Sequence, residues 1–269
     1  MPEPKSRFND DATAQAYQRH LVPIIFEPWG RLLIEKVGLK PGDRVLDIAT
    51  GPGTLARQAA VVIGASGTVT GVDLSPKMLV QAQAQAPVVN GAVLNFIEAS
   101  AEALPFADAE FDVVLCQQGL QFFGDQARAT KEMKRVLKPG GRLALAMWSD
   151  AKAMTLFVAF LEAVDATVAV PPARSAMGWL DLGKLTQLLK QAGFVAPEVT
   201  EQRLVTVLEQ GLPQALQCLE GTTAAQSVRA MTQAEQGRFV GHLTKNLAPW
   251  TQGHAIHAPV RALVAIATA

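Results

Sequence analysis

The chain has 269 residues, of which 49% are hydrophobic and 18% charged, so it can bury a sizeable core. Its 24 basic and 24 acidic residues give a formal net charge of zero, which argues against broad electrostatic binding to nucleic acid. Two cysteines are too few for a disulfide framework or a cysteine-based metal cluster. The sequence shows no signal peptide and no membrane-spanning segment, so we expect a cytoplasmic protein without a metal site.

Short β-branched runs alternate with helical patterns through the first half, which predicts a parallel sheet with helices on both faces. Ser75 is followed by a proline, and this pair is typical of a helix start. The predicted strands are 44–48, 68–72, 93–98, 111–116 and 142–147. The predicted helices are 54–63, one that begins at Ser75, and 126–137, which ends at a turn over 138–141.

The second half carries weaker signals. Residues 154–170 are apolar but interrupted by two acids, which favours a buried or pocket-lining helix. The pattern then predicts a helix at 185–192, a strand at 198–208, helices near 213–231 and 234–247, and a strand at 260–266. We expect one domain over 1–269, with a core at about 30–150 and an acceptor cap and sheet-closing region at about 151–269.

A glycine-rich turn follows the first strand. Gly51 and Gly53 supply the backbone freedom that a tight strand-to-helix turn requires. Residues 51–56 also fit the dinucleotide pattern G-x-G-x-x-G/A, and Asp73 lies 22 residues after Gly51. Two cofactor classes therefore remain open at this point, a nicotinamide dinucleotide and a ligand without phosphate.

Two aspartates bear on that choice. Asp47 at the end of the first strand opposes a pyrophosphate and suits a cationic ligand such as a sulfonium. The alternative for Asp47 is a carboxylate that accepts hydrogen bonds from the loop amides. Asp73 at the end of the second strand suits the two hydroxyls of a ribose, or alternatively caps the helix at Ser75.

Several ordered motifs between residues 44 and 148 resemble the class I S-adenosylmethionine-dependent methyltransferases, in their ubiquinone/menaquinone-type small-molecule branch (methyltransferase type 11). The motifs are residues 47–53, 71–75, 99–106, 111–123 and 132–141. Residues 17–23 resemble the segment that covers the cofactor in that branch. The resemblance implies a Rossmann-like α/β fold, doubly wound, with about seven strands, the last antiparallel, and helical N-terminal and C-terminal cap segments.

The resemblance also implies S-adenosyl-L-methionine as cofactor and assigns residues to it. Asp47 and the glycine loop would surround the methionine part, Asp73 would hold the ribose, and Gln117 would lie near the transferred methyl group. Two positions depart from the family pattern, because Ala49 replaces a common glycine and Ser100 a common aspartate. The cofactor-binding residues expected on this basis are Tyr17, Asp47, Ala49, Thr50, Gly51, Gly53, Asp73, Leu74, Met78, Ser100, Ala101, Glu102, Gln117 and Phe122.

Methyl transfer needs alignment and exclusion of water, and only some acceptors need a base. Among the four histidines, His20 is the best candidate for a base because it lies in the segment expected over the cofactor, although a packing role is an alternative. His242 is expected on a helix face, and His254 and His257 in a loop. Tyr17 either bounds the methionine site or holds the N-terminal helix.

The acceptor is not specified by the motifs. Phe122, Phe123, Phe157, Phe160 and Trp179 either line an apolar acceptor pocket or belong to the core. The sequence after the fourth strand lacks the Asn/Asp-Pro-Pro-aromatic motif of enzymes that methylate nucleic acid bases. Besides a small-molecule C- or O-methyltransferase, the sequence leaves open an NAD-dependent oxidoreductase and a non-catalytic S-adenosylmethionine-binding module. A homodimer is one alternative for the oligomeric state.

Overall fold

The computed structural model describes residues 11–85, 87–169 and 177–269, and these residues build one eight-stranded sheet flanked by helices. In chain order the strands are β1 (Arg44–Ile48), β2 (Thr68–Asp73), β3 (Val93–Glu98), β4 (Phe111–Gln117), β5 (Leu137–Trp148), β6 (Val195–Leu208), β7 (Thr251–Gln252) and β8 (Ala255–Thr268).

The strand order is β3-β2-β1-β4-β5-β8-β6, and the two-residue β7 pairs with β8 outside this path. Strands β1 to β5 are parallel, whereas β8 runs antiparallel to both β5 and β6. The chain winds from β1 outward to β3 and then returns to β4 on the other side of β1. This reversal creates the crevice at which open α/β sheets bind ligands. The predicted Rossmann-like fold is confirmed.

A long helical segment precedes the sheet. It begins as α1 (Asp11–Ala16), continues as a π-helix (Tyr17–Phe26) and ends as α2 (Glu27–Val37), where Gly38 adopts a left-handed conformation. The other α-helices are α3 (Thr54–Ile63), α4 (Pro76–Ala84), α5 (Gln126–Val136), α6 (Thr155–Thr167), α7 (Leu182–Gln191), α8 (Leu212–Glu220), α9 (Ala225–Arg229) and α10 (Gln233–Leu247). Two short 3-10 helices lie at Leu120–Phe122 and Ala248–Trp250.

Successive residues of the central strands face two different cores. In β4, Val113 and Leu115 pack into the core that contains Trp29 of α2, while Val114 and Cys116 pack into the core below α5. All four side chains are fully buried, as expected for a parallel strand covered on both faces. No helix of the described residues is long and apolar enough to cross a membrane.

Three element predictions need correction. The predicted turn at 138–141 lies inside β5, where a left-handed Gly140 and a register shift between Phe111 and Val113 absorb the extra residues. The single helix predicted near 213–231 is two helices, because the Thr222 hydroxyl donates to Leu219 O and accepts from Ala224 N between them. His257 lies on β8 opposite Val207 and not in a loop. Residue 170, the last of the apolar stretch at 154–170, lies outside the described residues. The described part of that stretch contains α6.

Candidate functional site

A cavity of about 310 Å³ opens at the carboxyl edge of the parallel strands. The last residues of four strands, Ile48, Asp73, Gln117 and Trp148, all line it. These residues meet because β2, β1, β4 and β5 are neighbours in the sheet and point in the same direction. The cavity therefore lies at the edge where doubly wound sheets place their ligands.

The loop after β1 forms one wall of the cavity. Ala49 and Gly51 line it with φ angles of +56° and +55°, and a side chain on Gly51 would meet no atom within 4 Å. Gly53, at the start of α3, has a φ of +79° and packs against the Phe96 ring instead of lining the cavity. The backbone at Gly51 is consequently open to close approach by a ligand.

Asp47 lies beneath this loop and not on the cavity wall. Its carboxylate accepts a hydrogen bond from the Thr50 hydroxyl at 2.6 Å, and the backbone amide of Ala56 donates to it as well. Burial raises the pKa of Asp47 to about 7 despite these hydrogen bonds. The geometry therefore favours a role for Asp47 in organising the loop over direct contact with a ligand. Thr50 shares that role, because its hydroxyl donates to Asp47.

Asp73 joins the glycine loop to the helix after β2. One carboxylate oxygen accepts from the amide of Gly51 and the other from the amide of Ser75, each at 2.8 Å. Burial raises the pKa of Asp73, and the hydrogen bonds from Ser75 and Gly51 oppose that rise. The amide of Leu74 donates to the same carboxylate. A carboxylate has about four acceptor positions, so these three contacts leave room for one further hydrogen bond from a ligand hydroxyl. Both roles considered from the sequence are compatible with this geometry.

The segment after β3 forms the wall opposite the loop. Ala99, Ser100, Ala101 and Glu102 all line the cavity. The Ser100 hydroxyl accepts from the amide of Glu102 at 3.2 Å, and the Glu102 carboxylate accepts from the amide of Asp125 at 2.9 Å. These two bonds fix the segment against the start of α5.

The N-terminal π-helix closes the cavity from outside the sheet. Tyr17 and Phe26 line it, and their rings lie 4.7 Å apart between centroids. Gln117 ties this segment to the sheet, because its side-chain amide donates to Phe26 O at 2.7 Å. Burial, and secondarily the charge of Asp73, raise the pKa of Tyr17 well above its usual value, so the phenol stays protonated.

The far half of the cavity is apolar. Trp148, Met154, Phe157 and Phe160 line it, together with Leu161 of α6. Phe160 and Trp148 are at most 5% exposed, whereas Phe157 is half-buried and packs its ring 6.2 Å from that of Phe160. Phe122 and Phe123 also reach the cavity, but Trp179 packs against the core instead.

His20 is not brought to the cavity. Its partly exposed imidazole lies near Arg19 and Glu220. Partial burial, and secondarily the charge of Arg19, lower its pKa.

Of the residues expected to bind cofactor, Asp47, Thr50 and Gly53 do not line the cavity. The remaining eleven line the cavity: Tyr17, Ala49, Gly51, Asp73, Leu74, Met78, Ser100, Ala101, Glu102, Gln117 and Phe122.

Several lining residues were absent from the sequence-based set. Ile48 and Trp148 were detectable in principle, since Ile48 ends one predicted parallel strand and Trp148 directly follows another. Gln118 and Gly119 belong to the motif at residues 111–123, but the resemblance implied no role for them. Residues 221–224 line the cavity from the break between α8 and α9, which no sequence pattern indicated.

Comparison with known proteins identifies the domain that builds this cavity. The family model described as "Methyltransferase domain" matches residues 46–145. Residues 46–145 are therefore similar to methyltransferase domains. This match spans β1 through most of β5, and therefore includes the glycine loop, Asp73 and Gln117.

The curated relatives match the same part of the chain. The ubiquinone/menaquinone biosynthesis C-methyltransferase UbiE of Shewanella woodyi is 38% identical over 130 residues, which are 48% of this chain and 51% of that protein. An uncharacterised protein of Mycobacterium tuberculosis is 40% identical over 125 residues, or 46% of this chain and 44% of that one. The chain thus matches about half the length of these relatives.

Solved structures extend the likeness to nearly the whole fold. The YcgJ protein of Bacillus subtilis has a TM-score of 0.57 at 19% identity and covers 89% of this chain and 97% of its own. Phosphoethanolamine N-methyltransferase 2 of Haemonchus contortus, solved with S-adenosyl-L-methionine, has a TM-score of 0.59 at 20% identity. This match covers 96% of the present chain and 57% of the Haemonchus protein. The family match over residues 46–145 and the named relatives bear out the predicted resemblance to the methyltransferases, and the solved structures bear out the fold.

Proposed function

We propose that the chain transfers a methyl group from S-adenosyl-L-methionine to a carbon or oxygen atom of a small apolar or aromatic molecule. The observation that carries the proposal is the continuity of the cavity. One end is polar and carries the glycine loop and Asp73, and the other end is walled by Trp148, Phe157 and Phe160.

The polar end fits the cofactor. Gly51 leaves open space where a Cβ atom would stand, and Asp73 is held by three backbone amides with about one acceptor position left for a ribose hydroxyl. Leu74 and Met78 supply apolar surface for an adenine, and Ser100 and Ala101 supply its edge contacts. Asp47 and Thr50 act through the loop, because they fix its path without touching the cavity.

When bound, the cofactor supplies an electrophilic methyl group on a sulfonium. The chain's contribution is alignment and exclusion of water. Tyr17 and Phe26 close the outer side, while Gln117 holds Phe26 in place across the end of β4.

The apolar end supports an acceptor with an aromatic or aliphatic body. Aromatic rings of β5, of α6 and of the segment after β4 surround the space. Such a lining suits a planar or bulky apolar molecule better than a charged one. The relatives that are named C-methyltransferases support transfer to carbon. A non-catalytic cofactor-binding protein is the alternative, favoured by the position of His20 outside the cavity.

Calorimetric titration with S-adenosylmethionine, S-adenosylhomocysteine and NADH tests the cofactor assignment. Saturable binding of both adenosyl ligands without NADH binding is expected, and Asp73→Ala should weaken it at least tenfold. Glu209→Ala is the control, because this exposed carboxylate follows β6 and does not line the cavity. A panel of phenols and hydroquinones with radiolabelled cofactor then separates a methyltransferase from a non-catalytic binding protein. Binding of NADH in place of the adenosyl ligands would contradict the proposal.

We also propose that residues 1–269 form a single domain, supported by the way β8 and β6 complete the sheet begun by β1 to β5. The cytoplasmic location, the absence of a nucleic acid partner and the homodimer alternative stay predictions from the sequence.

A further inference from the structure

Gln118 combines two unfavourable features at the cavity wall. Its backbone has a φ of +57°, which is uncommon for a residue with a side chain. Its side-chain amide is shielded from solvent, and neither the oxygen nor the nitrogen has a hydrogen-bond partner among the described residues. Strained backbone and unpaired buried polar groups are both unfavourable, and they concentrate at functional sites.

Gln118 directly follows β4, and this position separates it from the cofactor end. The backbone amide of Gln118 donates to Ala146 O of β5 at 2.8 Å, two residues before Trp148. The polar contacts of the glycine loop and Asp73 lie on the opposite side of β4, along β1 and β2. Gln118 is therefore at the boundary between the polar end and the aromatic end of the cavity.

We propose that the side-chain amide of Gln118 determines acceptor specificity by hydrogen-bonding a neutral oxygen, a hydroxyl or a carbonyl, of the methyl acceptor. The inference rests on the proposed function, because it needs the aromatic end to be the acceptor site. A carboxamide both donates and accepts, so it pairs with either kind of oxygen. Its neutrality favours a phenol, enol or ketone over an ammonium group, which a carboxylate would bind better.

Gln121 provides an internal control. It is the same residue type, is 1% exposed, and also has an amide without a partner in the described part of the chain. Gln121 does not line the cavity, whereas Gln118 does. If unpaired amides were only a structural cost in this segment, methionine at either position would have the same consequences.

The experiment measures binding of 1-naphthol and naphthalene to the full chain saturated with S-adenosylhomocysteine. These probes share one ring system and differ by one hydroxyl group. The wild type and Gln121→Met should bind 1-naphthol at least tenfold more tightly than naphthalene. Gln118→Met should reduce that preference to less than threefold while its affinity for naphthalene and for S-adenosylhomocysteine stays within twofold of the wild type. Retained S-adenosylhomocysteine binding shows that the variant is folded.

Each other outcome contradicts the inference in its own way. An unchanged preference in Gln118→Met, or no preference or no probe binding in the wild type, excludes the amide as the acceptor contact. A tenfold loss of S-adenosylhomocysteine affinity in Gln118→Met assigns the amide to the cofactor instead. If the wild type itself fails to bind S-adenosylhomocysteine, the proposed function fails, and this result is distinct from failure of the inference alone.

Discussion

The side-chain methyl group of Ala49 occupies the space beside Gly119, so that a Cβ atom on Gly119 would lie 2.7 Å from the Ala49 Cβ atom. Ala49 follows β1 and Gly119 follows β4, and both line the cavity. Ala49 has a φ of +56°, a conformation that alanine rarely adopts. At the strand-order reversal, the strained Ala49 in one loop therefore packs so closely against the other loop that position 119 must be glycine.

Ala49→Gly should stabilise the protein. Glycine adopts a positive φ without the penalty of roughly 1–2 kcal/mol that an L side chain meets there, and its greater freedom in the unfolded chain offsets part of the gain. We expect the free energy of unfolding to rise by roughly 0.5–1 kcal/mol, measured by urea titration. Ala56→Gly, in the right-handed backbone of α3, should instead lower it by about 1 kcal/mol. Destabilisation of Ala49→Gly would show that the methyl contact outweighs the strain.

Gly119→Ala should destabilise the protein, since the new Cβ atom would also lie 2.9 Å from the Cys116 sulfur and 3.2 Å from the Phe123 ring. Overpacking of this kind costs roughly 1–3 kcal/mol. In the double variant Ala49→Gly with Gly119→Ala, part of that loss should be recovered, because the closest contact is gone. A double-mutant cycle on unfolding free energies measures the coupling. Strict additivity would mean that the two loops do not interact.

Asp47→Asn should flatten the pH dependence of stability. Burial raises the pKa of Asp47 to about 7 in the folded chain, against a usual value of 3.8. The folded state therefore binds more protons between these values, and its stability falls as pH rises from about 4 to 7. We expect the wild type to lose up to roughly 1.4 kcal/mol per pH unit relative to Asp47→Asn in that window. Denaturant titrations at pH 4.5, 5.5 and 6.5 give the two curves, and parallel curves would contradict the raised pKa.

Arg135→Lys should loosen the segment that carries the cavity wall after β3. The Arg135 guanidinium donates to Phe106 O at 2.8 Å and to Leu104 O at 3.1 Å, and it also pairs with the Glu132 carboxylate. Lysine cannot make this forked set, so we expect a loss of roughly 1–2 kcal/mol of stability and weaker S-adenosylhomocysteine binding. Arg238→Lys is the control, because its exposed guanidinium lies 4.0 Å from Glu235. Equal effects of the two substitutions would refute the role assigned to Arg135.

Gly221→Ala should displace the N-terminal segment from the cavity. A Cβ atom on Gly221 would lie 2.8 Å from both the Cα atom and the amide nitrogen of Tyr17, and backbone atoms cannot move aside cheaply. We expect faster proteolysis of the N-terminal segment and at least fivefold weaker S-adenosylhomocysteine binding. Gly241→Ala, in α10 with no atom within 4 Å of the new Cβ, should leave both unchanged. Unaltered proteolysis in Gly221→Ala would show that this contact does not hold the segment.

The sequence determined the parallel half of the fold because its signals there are local. The strands β1 and β3 and helix α3 have the predicted bounds, since each is a short apolar run bordered by glycine, proline or a capping side chain. The Ser75 side chain accepts from the amide of Met78, as its position before a proline indicated. The order of motifs likewise indicated the methyltransferase class and Asp73 as a cavity residue.

Only the tertiary structure decided which of the predicted residues face the cavity. Asp47 and Asp73 both end or nearly end a parallel strand, yet one lies beneath the loop and the other on the wall, because Asp47 is level with Gly71, two residues deeper in the sheet than Asp73. His20 shares the N-terminal segment with Tyr17, but the turn of the π-helix directs it toward Glu220. The orphan amide of Gln118 and the approach of Gly221 to Tyr17 depend on contacts between residues distant in the chain. Local sequence patterns specify secondary structure, whereas such long-range packing arises only when the elements assemble.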